Sequence, residues 1–360
     1  GRIERDFKRL RSAYGRWLQF TLNNRPAVYL LWIALGLLSI PMFSMSAKEL
    51  APTEDQGVIF GIVDSAANST LDQNSFYTAA VNRAFQSVPE TSFVFQITQP
   101  NSGFSGMVAK PWQERERTIF EIMPEVAMKV HGIPGIRVLP VTPPALPGGG
   151  QFPVEFVIAS TAELDQILAF AKQIQLAAAQ SKMFAFPPLI DVKIDQPQTE
   201  LVVDRDKVAD IGLNLQQVGS DLATMLGGNY VNRFNIAGRS YKVVPQTMRV
   251  DRLNPDQLGS MYVTGPDGKL VPLSTIATLK DSTVARSLNR FQQLNAVTIS
   301  AYPVRPLDEA LRFMEDEAAK ILPQGYTLDY TGESRQLRVE GNTFLQAFGL
   351  AIVLIFLVLA

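Results

Sequence analysis

Strand-like and helix-like patterns alternate along this chain, a proline- and glycine-rich break splits them into two series, and an uncharged apolar stretch stands at each end. Together these predict an α+β fold: tandem ferredoxin-like (split βαβ) units, the second interrupted by an inserted subdomain, preceded by a membrane helix and followed by the start of another. Composition narrows the function. The 360 residues carry a net charge of −1 with 46% hydrophobic residues, so the chain is neither disordered nor strongly drawn to nucleic acid. The absence of Cys excludes disulfides, thiolate metal sites and cysteine nucleophiles. His131 is the sole histidine and precedes Gly132-Ile133-Pro134-Gly135, a helix-exit sequence, so a Ser-His-Asp triad or a His-rich metal site has no partners to build on. Hydrolytic enzymes are disfavoured, and no cofactor or metal is expected.

The first twenty-five residues read as an amphipathic helix. Ile3, Phe7, Leu10, Tyr14 and Trp17/Leu18 share one face, and Arg5, Lys8, Arg9, Arg11 and Arg16 crowd the other, the pattern of a helix lying on an anionic lipid surface. Residues 26–47 carry no charge. A helix over Ala27–Met45 is ~28 Å long at ~1.5 Å per residue, enough to cross a hydrocarbon core of ~30 Å. A signal peptide has a shorter apolar region and a better cleavage site than Ser46-Ala47-Lys48-Glu49. With the basic flank retained inside, residues 48–340 lie on the far side of the membrane, in a bacterium the periplasm. Residues 341–360 are apolar to the last residue, so the chain reads as a piece of a longer membrane protein ending inside a helix.

Between these segments, Gly57–Ser65 reads as a strand and Ser69–Val88 as a helix with Leu71, Phe76, Ala80, Ala84 and Val88 along its apolar side. Ser92–Thr98 alternates as a strand, Thr118–Val130 is helical and Gly135–Val141 is a strand, completing a first subdomain over 48–147. Pro143–Gly150 breaks regular structure. A second unit starts with the strand Phe152–Ala159, a helix to about Lys182 announced by the capping-box spacing of Ser160 and Glu163, and the strand Ile190–Ile194. Its other half comes later, within 290–340: strand Ala296–Tyr302, helix Leu307–Leu322, strand Tyr326–Tyr330. The second unit therefore occupies 148–199 and 290–340, and 200–289 is an insert. The insert has a short strand at Leu201–Val203, helices at Asp206–Ile211 and Leu215–Leu226, and a hairpin turning at Gly265-Pro266-Asp267-Gly268.

Several blocks, in order over almost the whole chain, resemble one family. ELAPTEDQGVIFGIV (Glu49–Val63), KPWQERERT (Lys110–Thr118), VDRDKVADIGLNLQQV (Val203–Val218), LGGNYVNRF (Leu226–Phe234), GRSYKVVPQ (Gly238–Gln246), LVPLSTIATL (Leu270–Leu279) and GESRQLRVEGN (Gly332–Asn342) are similar to resistance–nodulation–division (RND) transporters, closest to the hydrophobe/amphiphile efflux branch. The resemblance implies a proton-driven inner-membrane pump, not an enzyme, working as a homotrimer with a periplasmic adaptor and an outer-membrane channel. It makes residues 1–25 an interfacial helix, 26–47 a membrane span, the two βαβ pairs porter subdomains, 200–289 a docking subdomain, and 341–360 the start of the next span.

Export of varied amphiphiles calls for an adaptable apolar and aromatic surface. Phe93 and Phe95 share one face of a strand, with Ile97 continuing it. Phe104 sits in the Gly/Ser-rich loop Asn101–Gly106, with Met107 at its exit. Alternating Phe on a strand is also the ordinary signature of a core. The resemblance places Phe93, Phe95, Ile97, Phe104 and Met107 at the family's deep drug pocket and mobile loop, and Leu139 and Val141 at its outer substrate entrance. Two other classes fit the layout. A metal-exporting branch needs clustered Met thioethers for Cu(I) or Ag(I), whereas the ten Met are dispersed. A non-transporting membrane-anchored assembly or sensor module is the second.

Overall fold

A computed structural model describes residues 2–45, 49 and 51–359; the side chains of 2–6, 40, 43, 44, 340–345 and 359 lie outside the description. Helix α1 (Arg2–Asn23) runs into α2 (Arg25–Met45), and both carry exposed apolar side chains, Phe7, Leu10, Tyr14 and Trp17 on the first and Tyr29 to Leu38 on the second. Ile3, assigned to the same apolar face, falls outside the described side chains. The span expected over 26–47 is helical over Arg25–Met45, with Pro41 inside it. Among the described residues no helix is long and apolar enough to cross a membrane. Part of the expected span (the side chains of Ile40, Phe43 and Ser44, and residues 46–47) lies outside what is described.

The first lobe is built from β1 (Val58–Ser65), α3 (Leu71–Gln86), β2 (Thr91–Thr98), β3 (Ser102–Ala109), α4 (Ile119–His131) and β4 (Ile136–Val141). Its sheet runs β2-β3-β1-β4 and every pairing is antiparallel. Both helices cover one face, where Ile59, Val63, Val81, Phe85, Met107, Ile119, Ile122, Val126 and Val138 form a buried cluster. Thr118 starts α4 with a full capping box to Glu121, and His131 ends it at the surface. Strand β3 was expected as the loop Asn101–Gly106. Glycine and serine hid it, since they lower strand propensity, yet its backbone pairs on both sides. On α3 the buried residues are Asn74, Thr78, Val81 and Phe85, while Leu71 and Phe76 are exposed. The apolar stripe read from the sequence was therefore the wrong face at Leu71 and Phe76, whereas Ala84 packs partly against the core and Val88, past the helix end, is buried.

The second lobe begins with β5 (Val154–Ser160), α5 (Leu164–Gln180) and the two-residue β6 (Leu189–Ile190). Ser160 does not cap α5; it ends β5, donating to the Gly325 carbonyl at 3.0 Å, and the N-cap residue Glu163 makes no side-chain cap. An inserted unit follows. Its ten-residue β7 (Ile194–Val203) far exceeds the short strand expected at Leu201–Val203, because it pairs along its length with β12 (Ala277–Ala285) in a two-stranded stem. Between them lie α6 (Arg205–Asp210), α7 (Leu215–Met225), the hairpin β8 (Asn232–Ile236) and β9 (Arg239–Val243), the hairpin β10 (Tyr262–Thr264) and β11 (Leu270–Pro272), and the short α8 (Leu273–Ile276). Val208, Leu213, Val218, Val263, Leu273 and Ile276 are the small core of this unit. The second lobe resumes with β13 (Arg290–Phe291), β14 (Leu294–Ala301), α9 (Leu307–Ile321) and β15 (Tyr326–Tyr330), giving the order β13-β14-β5-β15 with β6 also on β14. Phe156, Ile158, Ile167, Ile174, Val297, Ile299, Leu311 and Met314 are packed between this sheet and α5 and α9. The chain leaves through α10 (Gly332–Arg335), a π-helical turn at Gln336–Glu340, and α11 (Gly341–Leu359).

Candidate functional site: an aromatic sheet face

Antiparallel pairing puts opposed residues on the same side of a sheet. In the first lobe Phe95, Gly106, Phe60 and Val141 form one such row, and Ile97, Phe104, Ile62 and Leu139 form the next. Phe93 lies one row away, opposite Val108. All of them alternate with residues of the helix-covered core, so they project from the face that carries no helix. Six of the predicted residues, Phe93, Phe95, Ile97, Phe104, Leu139 and Val141, are thus brought together on one surface. Phe93 and Ile97 are 57% and 56% exposed, which rules them out of the lobe's core. Met107 is not among them. It points to the helices and is fully buried, because it follows Gly106 by one residue on a strand rather than leaving a loop.

Three rings make the centre of this face. Phe60 and Phe104 have centroids 4.9 Å apart, Phe95 and Phe104 5.9 Å, and Phe60 and Phe95 6.3 Å with an edge-on geometry. These spacings fall in the range of favourable aromatic pairs. Gly106 makes the arrangement possible: a Cβ at that position would overlap the Phe95 ring, which lies flat across the strand. Phe60 escaped the sequence reading because its neighbours Ile59 and Ile62 made β1 look like an ordinary hydrophobic strand. Its alternation with the core residues Ile59 and Val63 is the signal that could have found it.

The face ends in charge. Asp64, two residues beyond Ile62 on the same side of β1, is held by two cations from the inserted unit's stem, Lys193 and Arg286. Arg286 forks onto Asp195 at 2.6 and 2.7 Å and reaches Asp64 at 3.3 Å and the Ser65 carbonyl at 3.0 Å. The Arg286 guanidinium holds the Asp195 carboxyl below the usual range, outweighing burial. At the opposite edge the Thr142 and Tyr302 hydroxyls meet at 3.2 Å, so the first lobe touches the inserted unit's stem at one end of this region and the second lobe at the other.

Two further features lie off the face. Asp55 and Arg115 form an almost fully buried pair, with bonds of 2.7 and 3.0 Å, and Asp55 also accepts from the Ile119 and Gly57 amides. Burial pushes the Asp55 carboxyl up, but Arg115 and the two amides together hold it below its ordinary value. Arg115 also stacks over Trp112 at 4.1 Å. A cavity of about 400 Å³ between the lobes is lined by Phe120, Leu146, Tyr302, Arg305, Leu307 and Glu333, and by none of the predicted residues. Burial raises the Glu333 carboxyl there.

The whole chain, residues 1–360, matches the model of the AcrB/AcrD/AcrF family. It belongs to that family. It is 32% identical over 366 residues to an uncharacterized transporter of Haemophilus influenzae, covering all of this chain and 35% of the relative. It is 29% identical over 350 residues to the multidrug export protein AcrF of Escherichia coli, covering 92% of this chain and 34% of AcrF. The probable efflux pump membrane transporter TtgB of Pseudomonas putida is 26% identical over 376 residues, covering all of this chain and 36% of TtgB. The chain thus spans about a third of the length of these relatives, of which AcrF and TtgB are RND multidrug efflux transporters.

Proposed function

We propose that this AcrB/AcrD/AcrF-family chain is the substrate-handling part of an amphiphile efflux transporter, and that the helix-free face of its first lobe receives the apolar portion of the cargo. One observation carries the reading: Phe60, Phe95 and Phe104 cluster on a sheet face that the fold does not need for its own core. A half-buried aromatic cluster flanked by the exposed Phe93 and Ile97 is an apolar surface of the kind that marks a binding site, and ring faces accept many flat or branched apolar groups without a fixed hydrogen-bond pattern. The two lobes act as ferredoxin-like porter subdomains and the inserted unit as a docking subdomain. Helices α1 and α2 lie at and in the inner membrane, with α11 beginning the next span and the lobes in the periplasm. The complete transporter is a proton-driven homotrimer that hands cargo, with a periplasmic adaptor, to an outer-membrane channel. Proton-carrying groups belong to other segments of such a transporter, so this part binds without pumping.

The test is direct. In cells making the full-length transporter, Phe95→Ala and Phe104→Ala are expected to raise sensitivity to bulky amphiphilic drugs while protein levels stay unchanged. Met128→Ala, exposed on the helix side of the same lobe, is the control and should change nothing. Unaltered drug tolerance in both Phe variants would remove this face from the cargo path.

A further inference from the structure

The true inner stripe of α3 contains two polar residues, Asn74 and Thr78, both fully buried. A buried amide costs free energy unless all its hydrogen-bonding groups are used, and every one in Asn74 is. Its Oδ1 accepts from the Ser65 hydroxyl at 2.7 Å, and its Nδ2 donates to the Ser102 carbonyl at 2.8 Å and to the Gln99 carbonyl. This assignment of O and N is the only one the partners allow, since two are carbonyls and the third a hydroxyl. One side chain therefore ties the end of β1 to both sides of the β2–β3 turn. The turn closes on itself as well: the Gln99 amide donates to the Ser102 carbonyl at 2.9 Å, and the Ser65 amide to the Asn101 carbonyl at 3.1 Å. One helical turn further on, Thr78 donates to the Asn74 carbonyl at 2.9 Å and meets the Thr98 hydroxyl at 3.2 Å.

Phe104 stands two residues past Ser102 on β3, so the anchor of the turn fixes where its ring sits against Phe60 and Phe95. The same β1 end is held from the opposite direction, because the Ser65 carbonyl accepts from Arg286 of the stem. We infer that Asn74 is a positioning residue for the aromatic face: it straps the β2–β3 turn into one conformation and so sets which amphiphiles fit between Phe104, Phe60 and Phe95. The inference rests on the proposed cargo role of that face. Asn74 does not touch cargo itself; it acts through Phe104.

The test uses the full-length transporter that contains this chain, purified in dodecylmaltoside, with rhodamine 6G as probe followed by fluorescence anisotropy, and hydrogen exchange read at single amides. Asn74→Ala should weaken rhodamine 6G binding about five- to tenfold, the scale of one or two lost hydrogen bonds. It should also speed exchange at the Gln99 and Ser65 amides about tenfold relative to Ile62 in mid-strand. Ser65→Ala, which removes one bond and keeps the two from Nδ2, should weaken binding about two- to threefold and serves if Asn74→Ala does not fold. In a Phe104→Ala background Asn74→Ala should cost nothing more, whereas combined with Phe93→Ala, far from the turn, the losses should multiply. A merely structural asparagine would give multiplicative losses with both. If Phe104→Ala alone leaves binding unchanged, the cargo role of the face fails. If Phe104→Ala weakens binding but the Asn74 and Ser65 variants do not, or if turn exchange is unaffected, the strap is overturned and the cargo role stands.

Discussion

The two lobes share one connectivity and differ on the face that no helix covers. In the second lobe the corresponding rows are Ala159, Ala296 and Thr327, and Val157, Thr298 and Asp329. In the first lobe the matching strands β1, β3 and β4 carry Phe60, Gly106 and Val141 in one row and Ile62, Phe104 and Leu139 in the next, and β2 adds Phe95 and Ile97. Each sheet buries its other face against two helices with a full set of large apolar residues. A cluster of three mutually packed rings on the helix-free side is therefore not demanded by the architecture; the second lobe instead packs Phe291 and Leu294 against the small buried Val157, Ala159 and Ala296 there. What the first lobe has in excess is what a binding surface needs.

The comparison can be tested from its strongest contrast downwards. Phe156→Ala, on the helix-covered side of the second lobe, should lower stability by about 3–5 kcal/mol in equilibrium unfolding, and Met107→Ala, its counterpart in the first, by about 2–5 kcal/mol. Rhodamine 6G affinity of the folded protein should be unchanged in both. Asp55→Asn strands the Arg115 charge in the first lobe and should cost about 3 kcal/mol or more. Since the Asp55 carboxyl is held below its ordinary value, its stabilisation is complete above about pH 4 and is lost as pH falls through the depressed native value. Denaturation curves between neutral and strongly acidic pH should therefore show a shallower acid loss in Asp55→Asn than in the parent.

Smaller effects separate the two helix-free faces themselves. Gly106→Ala must push the Phe95 ring aside, costing about 1–3 kcal/mol and altering rhodamine 6G affinity, seen by melting and anisotropy together. Phe95→Ala should cost about 1–2 kcal/mol, the worth of its ring pairs and partial burial, with binding weakened about tenfold. Thr298→Val, on the second lobe's helix-free face, should stay within about 0.5 kcal/mol and leave binding unaltered. A binding loss at Thr298 as large as at Phe95 would erase the contrast.

Much of this was legible in the sequence, and the exceptions have physical causes. Helices such as Leu307–Ile321 and strands such as Tyr326–Tyr330 announce themselves because local periodicity and tertiary burial agree. The reading went wrong on α3, where Asn74 and Thr78 occupy the buried stripe and leave the exposed Leu71 and Phe76 as the apparent apolar side. It went wrong again on β3, whose Gly106 makes room for the Phe95 ring rather than for a loop. Met107 was assigned to the wrong side for the same reason, since a residue leaving a loop has no fixed face and a residue in a strand has one. Periodicity also found Phe93, Phe95 and Ile97 together but could not say whether they faced helices or solvent; only the position of α3 and α4 decides that. In each case sequence rules fail where polar or small residues are spent on holding the aromatic face.

Arg338, in the π-helical turn ahead of α11, has a mechanical consequence. Its guanidinium bonds Glu315 at 2.7 Å through Nε and Asp308 through Nη1, so one side chain bridges two carboxylates whose residues stand about two turns apart on α9. A single contact would let α11 swivel freely about it. Two bonds from one planar guanidinium fix its orientation and tie the turn ahead of α11 to α9. Spin-label distances between α9 and α11 should then be narrowly distributed, and Arg338→Ala should broaden them.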